Sequence, residues 1–246
     1  LKKFTNNKNY TFIKGDISNS KLIYRILKQY QIYSVINFAA ESHVDRSIHG
    51  PKTFINTNIL GTLNLLENFR SLFKISNKDY RFLQISTDEV YGSLKYNDKP
   101  FDEASSYKPN SPYASTKASS DHLARAWHNT YNLPIIITNC SNNYGPGQHL
   151  EKLIPMCINN CIKGQKIPVY GNGKQIRDWI HVDDHVNAIL KIIKFGNLGE
   201  NYNIGANNEV VNINLITIIC EILNTKLPKS YKKYENLCEL ITFVKD

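Results

Sequence analysis

Nowhere in the 246 residues is there a run approaching the ~20 apolar residues that a helix needs to cross a bilayer. The opening LKKFTNNKNY has no apolar h-region of the kind a secretory signal carries, so the expected location is the cytoplasm, with no membrane partner. Cysteine is sparse: Cys140, Cys157, Cys161, Cys220 and Cys238 are odd in number, contain no CxxC and have no histidine ladder beside them. That argues against a disulfide framework and a zinc site, leaving buried free thiols and no metal as the expectation. Acids are outnumbered, 21 against 30 Lys and Arg, for a formal charge of +9. The lysines are scattered among Asn, Ile and Tyr rather than gathered in a run, which argues against a nucleic-acid partner. Internal repeats and low-complexity linkers are also lacking. What is present, 41% hydrophobic and 21% charged residues, suffices for a core of ordinary globular size.

Apolar runs and helical patterns alternate over the first two-thirds of the chain. YTFIKGD reads as a strand, SKLIYRILKQY as a helix, SVINFAA as a strand and TFINTNILGTLNLLENFRSLF as a long helix. RFLQIST, SPYASTKASSDHLARAWHNTY and LPIIITNCS continue as strand, helix, strand. This alternation predicts an α/β fold, a doubly wound, Rossmann-like parallel sheet over residues 1–147 that binds a dinucleotide. After Tyr144-Gly145-Pro146-Gly147 the pattern loosens: a helix from about Glu151, short strands IPVY and DWIHV, and helices near Asp183–Phe195 and Asn212–Leu223. Residues 148–246 are therefore expected to form a smaller, partly interleaved α/β lobe that holds substrate. A nucleotide-binding sheet of this type opens with strand, glycine-rich turn and helix, whose backbone N–H groups hold pyrophosphate. Nothing before Gly15 has that pattern, so the expectation is a fragment lacking its first βαβ unit and a C-terminal segment, and silent as an enzyme by itself.

Tyr113 and Lys117 stand four residues apart at the opening of a helix, on one face of it. An ammonium beside a phenol favours the phenolate. Lowering a tyrosine from about 10 to about 7 takes about 4 kcal/mol, which a cation and a nicotinium ring supply together. The preceding strand ends in Ser86-Thr87, and the carboxyl end of a strand is where open α/β sheets bind ligands. Asp88 and Glu89 follow directly. A proton abstraction beside a ketone and the loss of a hydroxyl need one base and one acid, and two carboxylates in different environments can divide those roles.

FAAESHVDRSI, ISTDEVYG, SPYASTKASSDHLARAW, TNCSNNYGP, EKLIP, GNGKQIRDWIHVDD and YNIG, in this order, resemble the successive motifs of the dTDP-glucose 4,6-dehydratases from about Tyr10 to the end of the chain. These are NAD-dependent sugar-nucleotide dehydratases of the extended short-chain dehydrogenase type. Related 4-epimerases lack acids after the strand-end hydroxyl, and GDP-mannose-type dehydratases have the Glu without the Asp. The resemblance implies a redox-neutral removal of water from dTDP-glucose to give dTDP-4-keto-6-deoxyglucose, with hydride passing from sugar carbon 4 to NAD and back to carbon 6. Tyr113 is then the base of the first step, Lys117 lowers its pKa, Thr87 holds the 4-oxygen, Glu89 takes the proton at carbon 5 and Asp88 protonates the departing hydroxyl.

By the same resemblance Asp16, Ile17, Phe38, Ala39, Ala40, Glu41, Thr57 and Asn143, with Tyr113 and Lys117, face the cofactor. Ser42, Thr87, Asn142, Lys152, Leu153, Pro168, Val169, Tyr170, Arg177 and Asn212 face the nucleotide sugar, Lys152 and Arg177 supplying positive charge for its diphosphate. Structural readings stand beside these: Phe38-Ala39-Ala40 suits a buried strand end, Asp16 suits a helix cap, and His43 and His181 are read as structural. Leu150 departs from the family's Phe-Pro before EKLIP. A UDP-glucose 4,6-dehydratase and a non-catalytic dinucleotide-binding module remain the alternatives. Relatives pair helices like Pro51–Phe73 and Tyr113–Tyr131 across a two-fold axis, which implies a homodimer.

Overall fold

The computed structural model describes residues 4, 6–73, 79–94, 98–228 and 234–245. They form two compact units, one of residues up to Asn139 together with Lys191–Asn203, the other of Cys140–Leu190 and residues from Ile204 onward.

The first unit is built on a four-stranded sheet in the order β1-β2-β3-β7, with β1 at Ser34–Asn37, β2 at Arg81–Thr87, β3 at Ile135–Cys140 and β7 at Asn201–Ile204. β1 and β2 are parallel, Ser34 opposite Arg81 and Asn37 opposite Gln84. All of β2 after Arg81, and β3 up to Asn139, is buried, as strands covered on both faces must be. The covering helices are α1 (Ser20–Gln29), α4 (Gly61–Phe73) and α5 (Pro112–Tyr131). Leu65, Leu66 and Phe69 of α4 meet Phe82, Ile135 and Ile137 of the sheet and Ala124 of α5, with Phe69 edge-on to Phe82 at 5.5 Å between centroids. Two short helices, α2 (Val44–His49) and α3 (Pro51–Phe54), lead through a π-helical stretch, Ile55–Leu60, into α4.

The long helix expected over 53–73 is thus present with a widened turn inside it. YTFIKGD, expected as a strand, is not one: residues 11–16 are exposed and pair with no described strand. A strand exists by its ladder hydrogen bonds, and the apolar pattern of Tyr10, Phe12 and Ile13 has no neighbour on which to act.

In the second unit, β4 (Asn142–Tyr144), β6 (Ile176–His181) and β8 (Glu209–Val211) form one sheet, and β5 (Ile167–Tyr170) pairs with β9 (Ile241–Val244). Helices α6 (Leu153–Lys163) and α8 (Asn212–Lys226) bury Cys157, Cys161, Ile216 and Cys220 against Ile167, Val169, Leu237 and Leu240. α7 (Val182–Phe195) starts here, and its last turn belongs to the first unit. Asp178 closes the loop before β8 by accepting the N–H groups of Ala206 and Asn208 at 2.7 and 2.6 Å. Burial works to raise this carboxyl, but those N–H groups outweigh it and hold Asp178 below its usual value. Among the described residues no helix is long and apolar enough to cross a membrane.

Candidate active site

The buried Ser86 and Thr87 end β2, at the carboxyl end of its parallel pairing with β1. Thr87 is extended, and its hydroxyl oxygen accepts the Glu89 N–H at 3.3 Å while lying 3.2 Å from Asp88 Oδ1, to which it donates. It therefore caps a single 3-10 turn, Asp88–Tyr91, and both acids stand half-buried on that turn. The turn is anchored below by Val90 and Tyr91, buried against Ala118 of α5. Gly92 ends it at φ +97°, where a Cβ would lie 2.4 Å from the Lys108 carbonyl oxygen.

α5 begins with Ser111 capping Ala114 N–H at 3.0 Å and Pro112 in the first turn. The Tyr113 N–H, one of the donors a helix start leaves over, goes to Ser47 Oγ at 3.1 Å on α2. Tyr113 and Lys117 are both buried, and Lys117 Nζ donates to the Ile85 carbonyl at 2.6 Å, pinning the ammonium to β2 one residue before Ser86. One turn further along the same face, Asp121, 1% exposed, accepts from Ser86 Oγ at 2.5 Å. The Tyr107 hydroxyl lies 3.3 Å from the same carboxylate oxygen, Asn139 Nδ2 donates to Tyr107 at 3.1 Å, and also donates to the Thr87 carbonyl at 3.3 Å. Burial pushes the Asp121 carboxyl up to about 6, against the pull of Lys117 and Ser86. Burial likewise raises the Tyr107 phenol.

After β1 the chain runs through Phe38, 58% exposed, and half-buried Ala39, Ala40 and Glu41 to exposed Ser42. Asn58, in the π-helical stretch and 1% exposed, holds this segment from both sides, accepting the Glu41 N–H at 2.9 Å and donating to the Glu41 carbonyl at 3.1 Å. It also donates to Thr116 Oγ1 on α5 at 2.9 Å, and its own carbonyl accepts from Ser120 Oγ at 2.6 Å. Thr57 is half-buried beside it. Asp16 forms a turn ahead of α1, its carboxylate held low by the Ser18 N–H and hydroxyl, while the cap of α1 is Asn19. Ile17 packs over Gly61, where a Cβ would sit 2.5 Å away, and its carbonyl accepts from Asn64. The Asp16 side chain thus turns the chain without capping the helix.

The remaining expected contacts lie in the second unit. Asn142 and Asn143 form β4, and Asn143 Oδ1 is 2.8 Å from Nδ1 of His185, whose pKa burial lowers. Lys152 and Leu153 open α6, Arg177 is exposed on β6, and the Asn212 N–H starts α8 on the Gln175 carbonyl at 2.9 Å. On β5 the residues split: Val169 sits 3% exposed in the core, Pro168 is half-buried and Tyr170 is 54% exposed. Any contact of Val169 with a ligand would therefore run through its backbone. Leu150, the departure from the family pattern, is 61% exposed. His43 caps α2 and His181 lies edge-on to Tyr144. Among the described residues no group of His, Cys, Asp or Glu is arranged to hold a metal ion.

A family model described as GDP-mannose 4,6 dehydratase matches residues 1–240. The dTDP-glucose 4,6-dehydratase of Escherichia coli is 48% identical over 258 residues, covering the whole of this chain and 71% of that protein. The chain belongs to the dTDP-glucose 4,6-dehydratase family. It spans 64% of the length of the Xanthomonas campestris relatives, to which it is 51% identical over 227 residues, 91% of this chain. Solved dTDP-glucose 4,6-dehydratases from Bacillus anthracis and Streptomyces venezuelae, both with NAD bound, superpose with TM-scores of 0.85 and 0.88 at 41% and 39% identity. They cover all of this chain, which matches 71% and 70% of theirs. These likenesses bear out the expected Rossmann-like α/β class. Three supports of the family's strand-end site escaped the reading of the sequence: Ser47, Asn58 and Asp121. Asn58 and Asp121 sit in stretches that read as ordinary helix and Ser47 in the motif FAAESHVDRSI, and no spacing marks any of the three.

Proposed function

We propose that the chain carries the catalytic strand end and helix of an NAD-dependent dTDP-glucose 4,6-dehydratase, a hydro-lyase that yields dTDP-4-keto-6-deoxyglucose. The observation that supports this most is the acid turn Asp88–Tyr91 at the end of the strand to which Lys117 Nζ is bonded. An epimerase needs the tyrosine and lysine; elimination of water needs the two acids as well.

The residues present fit NAD. Phe38 is an aromatic ring left open at the carboxyl end of a parallel strand, with only the methyls of Ala39 and Ala40 following, a floor a flat dinucleotide can lie on. Asp16, Ile17, Phe38 to Glu41, Thr57 and Asn143 would hold it. When bound, NAD supplies the acceptor and later the donor of hydride. Tyr113 takes the proton of the 4-hydroxyl, and Lys117, fixed by the Ile85 carbonyl, favours the phenolate. Thr87 orients the 4-oxygen. Glu89 removes the proton at carbon 5, and Asp88, beside the Thr87 hydroxyl, delivers a proton to the departing 6-hydroxyl. Ser42, Asn142, Lys152, Leu153, Pro168 to Tyr170, Arg177 and Asn212 receive the nucleotide sugar. The first unit is the dinucleotide-binding domain and the second the substrate lobe. The working form is a cytoplasmic homodimer: Ile48, Ile55, Leu60 and Tyr131, on and around the long helices, are each at least 40% exposed.

The test is turnover by the protein at its relatives' length, offered dTDP-glucose and UDP-glucose in parallel. Tyr113→Phe is expected to abolish formation of the 4-keto sugar and of reduced cofactor alike, because the first base is gone. Turnover of the variant at the parent rate refutes the assignment, and a preference for UDP-glucose moves it to the sister activity.

A further inference from the structure

Four of the five cysteines meet in the core of the second unit, and the proposed dehydration uses none of them. Cys157 and Cys161 are one turn apart on α6, Cys220 is on α8, and Cys238 is in the 3-10 turn Leu237–Leu240. The first three are at most 1% exposed, while Cys238 is only half-buried. The Sγ atoms of Cys161 and Cys220 are 3.8 Å apart, and Cys238 hydrogen-bonds Cys220. The thiols thus form a line from the half-buried Cys238 through Cys220 to Cys161. The hydrogen bond with Cys220 lowers Cys161 against its burial, while Cys220 and Cys238 are raised, and either sulfur of the Cys161–Cys220 contact can donate. Among the described residues no group of these side chains is arranged to hold a metal ion.

We infer that Cys161 and Cys220 are a disulfide-forming site, reached by a small-molecule disulfide through Cys238. The Cys238 thiolate attacks one sulfur of the small disulfide, which leaves as one thiol, and a mixed disulfide forms on Cys238. Cys220, giving up its proton, attacks the Cys238 sulfur and releases the second small thiol. Cys161 then attacks Cys220, and Cys238 leaves and regains a proton. In sum, two protein thiols lose two hydrogens and one small disulfide becomes two thiols. The final bond needs the sulfurs to close from 3.8 Å to about 2 Å, a movement within reach of side-chain torsions, and it ties α6 to α8.

The experiment treats the whole chain, at a circular-dichroism signal shown to be native, with excess oxidised glutathione, then quenches with acid, alkylates the remaining thiols and maps peptides by mass. The expected product is the Cys161–Cys220 pair, lighter by two hydrogens, with Cys140, Cys157 and Cys238 alkylated. Cys238→Ser is expected to slow its formation by about tenfold or more, because the half-buried member of the line is lost. Cys161→Ala is expected to stop the exchange at Cys220–Cys238, and Cys220→Ser to leave glutathione on Cys238. The inference fails if the parent protein stops at glutathionylated Cys238, if the Cys161–Cys220 bond appears only once denaturant has unfolded the chain, if Cys157 is the partner of Cys220, or if Cys238→Ser oxidises at the parent rate.

Discussion

Asp121 titrates near 6 in the fold against 3.8 when free, and that gap links the acid to stability. Between the two values the folded state keeps a proton that the unfolded state has released, so stability falls as pH rises through the window and levels off above about 6. The gap corresponds to about 3 kcal/mol, from burial of a charge that Lys117 only partly offsets. Urea midpoints measured from pH about 4 to about 7 are expected to show this downward slope in the parent and to lack it in Asp121→Asn. Equal slopes in the two would mean that the carboxyl is solvated. Tyr113, Lys117, Asp88 and Glu89 were legible in the sequence because their chemistry has a short spacing and a strand end to mark it. Asp121 was not: eight residues beyond the tyrosine, an Asp in SSDHLARAW reads as a solvated face, and only packing against Ser86, Tyr107 and Asn139 makes it an internal anion.

Elements carry that site through few contacts, and two of them are single side chains or single turns. Asn58→Ala removes the bonds to Glu41 and Thr116 at once and leaves the Glu41 N–H without its partner, a cost of about 2–3 kcal/mol. Thermal unfolding should show the loss. A change well under about 1 kcal/mol would mean that the segment after β1 is held by something else. Gly92→Ala forces a Cβ onto the Lys108 carbonyl at a positive φ, which costs about 1–3 kcal/mol and displaces the acid turn, so the variant is expected to lose both urea resistance and turnover. The long helices, β2, β3, β5, β6 and α6 to α8 stood where periodicity put them. The three-residue strands β4 and β8 did not announce themselves, because alternation over so few residues has no statistical weight, and YTFIKGD failed for the opposite reason, having the pattern without a partner strand. Leu66, on the helix that relatives pair across a two-fold axis, is fully buried in the sheet-side core.

At the scale of the molecule, β1 is an outer strand of its sheet among the described residues, and the sequence of residues 1–33 contains no glycine-rich turn. The backbone N–H bonds such a turn gives a diphosphate are each worth about 1.5–3 kcal/mol, so these 246 residues alone are expected to bind NAD at least about three powers of ten more weakly than the protein at its relatives' length. Titration calorimetry on both compares them directly, and equal affinities would show that the phosphate site has been misplaced. Sedimentation at micromolar concentration is expected to give a dimer. The central claim, that Glu89 acts after the sugar has been oxidised, is tested most directly by Glu89→Gln in the protein at its relatives' length, mixed with one equivalent of dTDP-glucose. Reduced cofactor is expected to accumulate toward one per site, with no 4-keto-6-deoxy sugar formed. Elimination of water at the parent rate, with no accumulation of reduced cofactor, would contradict it.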